Sequence, residues 1–356
     1  MKDFIYQSQP QRVVFGAGAL HHLEREIVTL GAQRALILST PEQRSSAERV
    51  ADLLGQRAAG IFDRAVMHVP IETAREARAV AQQLGADCAV AIGGGSTTGL
   101  GKAIALDSGL PIVAIPTTYA GSEMTTIYGI TEAGLKKTGR DARVLPRTVI
   151  YDPELTLSLP VGLSITSGIN AMAHAAECLY AVDGNPIMDL LSEEGMAALA
   201  RALPALHQSP TDLAARSDAL YGAWLCGQAL ANAGMAIHHK LCHTLGGSFN
   251  LPHAETHTIV LPHALAYNQG AAPAAYQRMA RALQADQRGI SVAQAVYDLA
   301  RQHGVPVALK DLGLSEDQLK QALDIALQNQ YPNPRPLQRE PLRELLYNAW
   351  QGERPA

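Results

Sequence analysis

The chain has 356 residues, of which 47% are hydrophobic and 17% charged, and a net charge of −4. That length accommodates two domains of ordinary size, and the balance is globular rather than disordered. The small negative charge excludes electrostatic capture of nucleic acid or an anionic membrane and provides no field to gather an anionic substrate, so any anion recognition must be local. Cys88, Cys178, Cys226 and Cys242 stand singly in apolar or helical stretches, the pattern of reduced core thiols rather than of disulfides or a zinc knuckle. No apolar run reaches the roughly 20 residues of a membrane span, and the first six residues hold no signal-like run. A soluble, cytoplasmic protein is the expectation.

The first half alternates strand and helix signals. Strands are expected at residues 12–15, 34–39, 60–62, 66–69, 88–92 and 112–115, and helices at 19–30, 42–54, 72–84 and 98–106. Continuous apolar runs such as residues 34–39 and 88–92 mark strands buried on both faces, so a largely parallel sheet covered by helices follows. Beyond Tyr151-Asp152-Pro153 strand signals nearly vanish. Helical spacing takes over at residues 162–182, 186–206, 211–232, 234–247, 274–284, 291–304, 315–328 and 339–351. An α/β dinucleotide-binding domain over residues 1–158 and an all-helical catalytic domain over 159–356 are expected.

Gly93-Gly94-Gly95-Ser96 follows the clearest strand and opens a helix. Glycines there let backbone N–H groups approach a phosphate at the positive end of the helix. Taken alone it is a tight turn, and it is not the GxGxxG fingerprint, because Thr98 stands at the last glycine. Pro116-Thr117-Thr118-Tyr119-Ala120-Gly121-Ser122-Glu123 follows the next strand, and neighbouring strand ends in a parallel sheet share one ligand crevice. Gly94, Gly95, Ser96, Thr117, Thr118 and Ser122 are therefore candidate cofactor contacts. At the end of the second strand, where a carboxylate would grip the ribose of NAD and repel the 2′-phosphate of NADP, the chain has neutral Thr40. Weak discrimination between NADH and NADPH is expected, with Arg44 near enough to help a phosphate or simply solvated.

Five of the twelve histidines fall between His238 and His257. Asn170 and His174, and His239 and His243, are one helical turn apart, so each pair shares a face. His253 and His257 follow a Leu251-Pro252 break. One histidine on an apolar helix is usually a satisfied core residue; several beside small residues point to a metal or catalytic site.

The run Gly168-Ile169-Asn170-Ala171-Met172-Ala173-His174, then His239, His243-Thr244-Leu245-Gly246-Gly247 and Pro252-His253, resembles the iron-containing (group III) alcohol dehydrogenase superfamily. So do Phe15-Gly16-Ala17-Gly18, Gly93-Gly94-Gly95-Ser96, Pro116-Thr117-Thr118 and Asp152-Pro153, in order over nearly the whole chain. The resemblance implies a dehydroquinate synthase-like fold, a homodimer and NADH or NADPH as cofactor. In metal-dependent relatives one aspartate and three histidines hold the ion, at positions that map to Asn170, His174, His239 and His253. Asn170 is neutral and offers only an amide oxygen. Gly99 stands where those relatives carry Asp, and the threonine turn is one residue short. These departures, with residues 93–102, resemble the maleylacetate reductase branch. That implies metal-free reduction of a conjugated double bond to give 3-oxoadipate, in the breakdown of aromatic compounds.

Hydride addition β to a ketone leaves an enolate that needs oxyanion stabilisation and a proton. His243 is the candidate proton donor, with His174, His239 and His253 as hydrogen-bond donors. A dianionic substrate calls for cations and polar groups: Lys240, Asn170 and Tyr119 are candidates, and family position places Lys136 in the cleft beside the cofactor. The alternatives are a zinc- or iron-dependent alcohol or polyol dehydrogenase of the same superfamily, and a nucleotide-binding sensor without catalysis.

Overall fold

The computed structural model describes residues 3–356 apart from 134 and 329, and the side chain of Lys136 also lies outside the described residues. The described chain divides into two compact units: Gln7–Leu159, and Pro160–Ala356 together with residues 3–6.

The first unit contains β1 (Arg12–Phe15), β2 (Ala35–Leu38), β3 (Ala58–Phe62), β4 (Cys88–Gly93), β5 (Ile112–Pro116), a separate antiparallel hairpin of β6 (Ile127–Glu132) and β7 (Leu135–Arg140), and β8 (Thr148–Tyr151). Six of these strands form a parallel sheet in the order β1-β8-β5-β4-β2-β3. The helices are α1 (Leu23–Thr29), α2 (Arg44–Leu54), α3 (Ile71–Gln83) and α4 (Gly95–Ser108). Strand alternation sends Ile37, Val90, Ile92 and Val113 towards Leu23 and Ile27 of α1 and Ala47 and Val50 of α2. It sends Leu36, Leu38 and Ala89 towards Ala74 and Ala77 of α3 and Leu100 and Ile104 of α4. A strand covered on both faces must be apolar at every position, which is why β2 and β4 read as unbroken hydrophobic runs.

Three local expectations are corrected. Residues 66–69 form a turn rather than a strand, with His68 and Val69 at φ of 66° and 47°, outside any β conformation. Helix α4 starts at Gly95, three residues early, because its first turn is the glycine turn itself. The β6–β7 hairpin and β8 were not anticipated; β7 carries Lys137, Thr138 and Arg140 on a two-stranded ribbon, which gives no apolar alternation to read.

A buried ammonium fixes the segment after β5. Lys102 on α4 donates from Nζ to the carbonyl oxygens of Ser122 (2.6 Å), Thr125 (2.8 Å) and Ile127 (2.7 Å), and to the Thr125 hydroxyl (2.9 Å). Burial pushes this ammonium down to about 7, opposed by the nearby Glu123 carboxylate. At the far end of the sheet, Asp152 accepts from the backbone N–H groups of Gly18, Leu20 and Glu154 at 3.0–3.1 Å. The Phe15–Gly18 and Asp152-Pro153 motifs are thus two halves of one brace at the carboxyl ends of β1 and β8.

The second unit is helical: α5 (Val161–Leu179), α6 (Pro186–Gln208), α7 (Leu213–Asn232), α8 (Ile237–Phe249), α9 (His253–Asn268), α10 (Pro273–Ala282), α11 (Ala285–Arg288), α12 (Val292–Gln302), α13 (Glu316–Ala326) and α14 (Arg339–Gln351). Helix starts follow capping chemistry: Asn185 and Asp212 accept from first-turn N–H groups, and Ser291-Gln294 and Ser315-Gln318 form reciprocal capping boxes. Helices α6 and α7 cross where Gly195 meets Gly222; a Cβ on Gly222 would lie 2.9 Å from the Gly195 carbonyl oxygen.

Helix α9 was missed by the periodicity. It packs against α5, α8, α12 and α14, and Thr256 to Leu265 are all buried. A helix covered on every side has no polar face, so its 3.6-residue signal is absent, and Pro262 inside it reads as a breaker.

Candidate active site

In the α/β unit, β4 ends at Gly93, whose φ is 146°. A Cβ there would come within 2.5 Å of both Gln43 Oε1 and Thr97 Oγ1, so the turn admits only glycine. No side chain among the described residues caps α4, and the first-turn N–H groups at Gly94, Gly95 and Ser96 have no carbonyl partner within the helix. Free N–H groups at the positive end of a helix are suited to an anion. The order of strands reverses between β2 and β4, and the crevice at such a reversal lies at the carboxyl ends of the strands. Thr40, after β2, and the glycine turn, after β4, stand at those ends. Gln43, which the sequence reading passed over, donates to Thr117 Oγ1 at 2.8 Å, while the Thr117 N–H donates to the Gly93 carbonyl at 3.0 Å.

The other expected contacts divide. Thr118 stands over Gly94, with its Cγ2 and Oγ1 3.1 Å from where a Cβ would be. Thr117 braces the two turns, its hydroxyl oxygen taken by Gln43. Ser122 gives its carbonyl to Lys102 and keeps a half-buried side chain. Tyr119 is fully buried. The turn after β2 is less neutral than Thr40 alone suggested: the Glu42 carboxylate is held below its ordinary range by its own backbone N–H and by the Thr40 hydroxyl. Arg44 is held by Asp63 at 2.5 Å and Glu48 at 2.9 Å rather than being left for a phosphate. Lys137 pairs with Glu132 at 2.7 Å. The expected role of Lys136 falls on a side chain outside the described residues.

In the helical unit, four of the expected histidines come together. His174 (α5) and His239 (α8) have ring centroids 5.2 Å apart, and His239 and His243 are 5.9 Å apart. His253, at the first position of α9, lies 4.2 Å from His257, which lies 5.1 Å from His239. His174 and His239 are buried, and His243 and His253 are exposed. Asn170 sits one turn before His174 on α5, and its Oδ1 is buried with no hydrogen-bond partner among the described residues. The same holds for His174 Nδ1, His239 Nε2 and His257 Nε2. So many unsatisfied polar atoms on neighbouring side chains mark a site for a polar guest.

Glu177, on the same helix as His174, organises this cluster and was missed. It is fully buried. One oxygen accepts from the His238 N–H at 2.7 Å; the other accepts from the Ala236 N–H at 2.7 Å, from His239 Nδ1 at 2.7 Å and from the His239 N–H at 3.4 Å. The carboxylate therefore caps the start of α8 and fixes one imidazole. In its uncharged form, with the proton on Nδ1 facing Glu177, His239 presents a lone pair at Nε2. Tyr331 was also missed: its hydroxyl lies 3.2 Å from His243 Nδ1, and Lys240 Nζ stands 5.6 Å from its ring centre. Only a helix-period search joining Glu177 to the Asn170–His174 face would have flagged the former; Tyr331 lies between elements and gave no signal.

Burial holds His174, His238 and His257 well below the ordinary imidazole range, with the neighbouring imidazoles adding to it, and pushes His263 down to about 4. At neutral pH these rings are uncharged. They can donate or accept hydrogen bonds but supply no cation.

Two family models match the chain: iron-containing alcohol dehydrogenase over residues 10–153, and the C-terminal domain of the Fe-containing alcohol dehydrogenase family over residues 164–350. The chain belongs to the iron-containing alcohol dehydrogenase family. It is an oxidoreductase of that family. It is 63% identical to the maleylacetate reductase of Burkholderia cepacia over the whole of both chains, and 57% identical to that of Delftia acidovorans over 99% of each. The crystal structure of maleylacetate reductase from Agrobacterium tumefaciens matches with a TM-score of 0.95 at 50% identity over all of both chains. One departure from the metal-dependent members of the family has a steric counterpart: a Cβ at Gly99 would come 2.8 Å from Val69 Cγ2, so the aspartate expected there in those members has no room without a shift.

Proposed function

We propose that the chain uses NADH or NADPH to reduce the carbon–carbon double bond of maleylacetate, giving 3-oxoadipate in the breakdown of aromatic compounds. The observation that carries this reading is the full-length likeness to maleylacetate reductases at 50–63% identity, joined to the cluster of imidazoles on α5, α8 and α9. The glycine turn, Thr118 and the end of β2 hold the nucleotide. The dihydronicotinamide would supply a hydride to the carbon β to the ketone, leaving negative charge on the ketone oxygen and a need for a proton at the adjacent carbon. His243, exposed and bonded to Tyr331, delivers that proton. His174 and His253 donate to oxygens of the substrate, Asn170 orients it through its side-chain amide, and Lys240 provides a cation for a carboxylate.

We further propose that the reaction runs without a metal. The residues at the family's metal positions, Asn170, His174, His239 and His253, carry no negative charge. The nearest carboxylate, Glu177, already spends both oxygens on His239 and the start of α8. That set lacks the anionic ligand that the resemblance implies for the metal-dependent members. A lone pair at His239 Nε2 keeps the metal-dependent alcohol dehydrogenase as the second reading, because three imidazoles suffice for catalytic zinc. The test is nucleotide oxidation with maleylacetate, with and without a chelator. Turnover that persists with chelator is the expected result; loss restored by zinc or iron would favour the second reading, and no turnover at all would leave a nucleotide-binding sensor. A cytoplasmic homodimer completes the proposal, supported by the family likeness and by the lack, among the described residues, of any helix long and apolar enough to cross a membrane. Light scattering after gel filtration measures the dimer.

A further inference from the structure

The imidazole cluster contains a pair that the reading above does not use. His257 (α9) and His238 (α8) are fully buried, and His238 Nε2 lies 3.0 Å from His257 Nδ1. Cys242, one turn after His238, brings its Sγ to 3.7 Å from the same His238 Nε2. His238 Nδ1 and His257 Nε2 are both buried without a hydrogen-bond partner among the described residues. One proton lies between the rings, and it has two possible owners. If His257 Nδ1 owned it, neutral His238 would carry its own proton on Nδ1, leaving an N–H orphaned in the core. If His238 Nε2 owns it, His238 Nδ1 is a bare acceptor, and the N–H can fork towards the Cys242 sulfur as well. Either way one N–H lacks a partner within the described residues, on His238 Nδ1 or on His257 Nε2; the second arrangement lets the shared N–H reach both His257 and the Cys242 sulfur and puts the orphaned N–H on the ring beside His239 and His253, where a polar guest can accept it. The proton on His257 then sits at Nε2.

His257 lies 4.2 Å from His253 and 5.1 Å from His239, ring centre to ring centre. The two inner rings have opposite polarity: His239, fixed by Glu177, offers a lone pair, and His257, fixed by His238, offers an N–H. We propose that His257 is a further substrate-binding residue, donating from Nε2 to an oxygen of the bound dicarboxylate, with His238 as the positioning residue that sets its tautomer. This rests on the proposed reaction. A competing use of the same side chains is a buried metal site, since His238, Cys242 and His257 bring one ligand atom each within 4.8 Å of one another. The short Nε2···Nδ1 contact favours a shared proton, because both nitrogens face each other rather than a third point.

Glutamine places an amide N–H near the position of imidazole Nε2, whereas asparagine reaches only as far as Nδ1. His257→Leu is expected to lower kcat/KM for maleylacetate about ten- to a hundredfold, the range for a hydrogen bond to a charged group, with the KM for NADH within twofold. His257→Gln should recover most of that loss and His257→Asn should not; a merely structural role would not rank them so. His238→Gln, which can still donate at the Nε2 position, should stay within about threefold of wild type, and His238→Leu should fall with His257→Leu. Circular dichroism checks that each variant is folded; if His257→Leu is not, the glutamine–asparagine comparison decides. Wild type that fails to reduce maleylacetate would overturn the proposed reaction and this inference together. Active wild type with His257→Leu unchanged, or with glutamine and asparagine equally impaired, would overturn this inference alone. So would a stoichiometric metal in wild type that is lost in His257→Leu.

Discussion

Replacing Glu177 by glutamine tests the organisation of the site most directly. The side chain keeps its shape but exchanges one acceptor oxygen for an NH2. In one orientation the NH2 faces the Ala236 N–H and His239 Nδ1, each 2.7 Å from the present oxygen. In the other it faces the His238 N–H, also 2.7 Å away. Either way a buried backbone donor meets a donor and loses its acceptor, a cost of about 1–3 kcal/mol. Loss of a full negative charge at the start of α8 adds up to about 1 kcal/mol. In the first orientation His239 must also flip its tautomer, which removes the lone pair at Nε2 and reverses the polarity of the centre of the cluster. A stability loss of about 2–4 kcal/mol follows, or roughly 4–16 °C in Tm at about 2–4 °C per kcal/mol. A fall in kcat of one to two orders of magnitude is expected, since misaimed preorganised groups cost about that much. Thermal unfolding followed by circular dichroism, and nucleotide oxidation at 340 nm on the folded variant, measure the two effects. A melt within 1 °C of wild type and kcat within twofold would refute the assignment of Glu177 as cap and orienter.

Gly93→Ala places a methyl 2.5 Å from Gln43 and Thr97 at a φ of 146°. It should weaken nucleotide binding about five- to a hundredfold by fluorescence titration, the cost of strain of order 1–3 kcal/mol, while leaving the far-ultraviolet spectrum unchanged. Glu42→Gln removes the one carboxylate held at the turn after β2 and should shift the ratio of kcat/KM for NADPH over NADH upward several-fold, read in paired assays at low salt; an unchanged ratio would show that Glu42 does not face the ribose. The four thiols are all pushed up by burial, Cys88 and Cys178 to about 12 and Cys226 and Cys242 further. Between pH 9 and 10.5 the unfolded chain has lost protons that the folded chain keeps, so stability falls as pH rises. Lys102, neutral above about 7 in the folded state and protonated when unfolded, gives one opposing contribution over the same window. The buried hydroxyls of Tyr151, Tyr180 and Tyr276, also pushed up by burial, act in the same direction as the thiols, so the net slope is negative and measurable by urea unfolding at stepped pH. Native protein should show no reaction with a thiol reagent at pH 8, and four equivalents once unfolded.

The order of residues was enough to reveal the alternation of strands and helices, because β2, β4 and β5 are covered on both faces and so are apolar at every position. It determined the glycine turn and the one-turn spacing of Asn170 with His174 and of His239 with His243, because those are local properties of a strand end and a helix face. Signals failed where structure is set by surroundings. Helix α9 is buried all round and shows no period, so the element that carries His253 and His257 was invisible. The β6–β7 hairpin is a polar ribbon, and Lys102, the last residue of a recognised motif, gave no hint that its ammonium would be buried among backbone carbonyls. Polarity at the site follows from contacts between distant parts of the chain. Whether an imidazole donates or accepts depends on what its other nitrogen meets. For His239 and His257 those partners, Glu177 and His238, lie 62 and 19 residues away in the chain, and no spacing rule connects them.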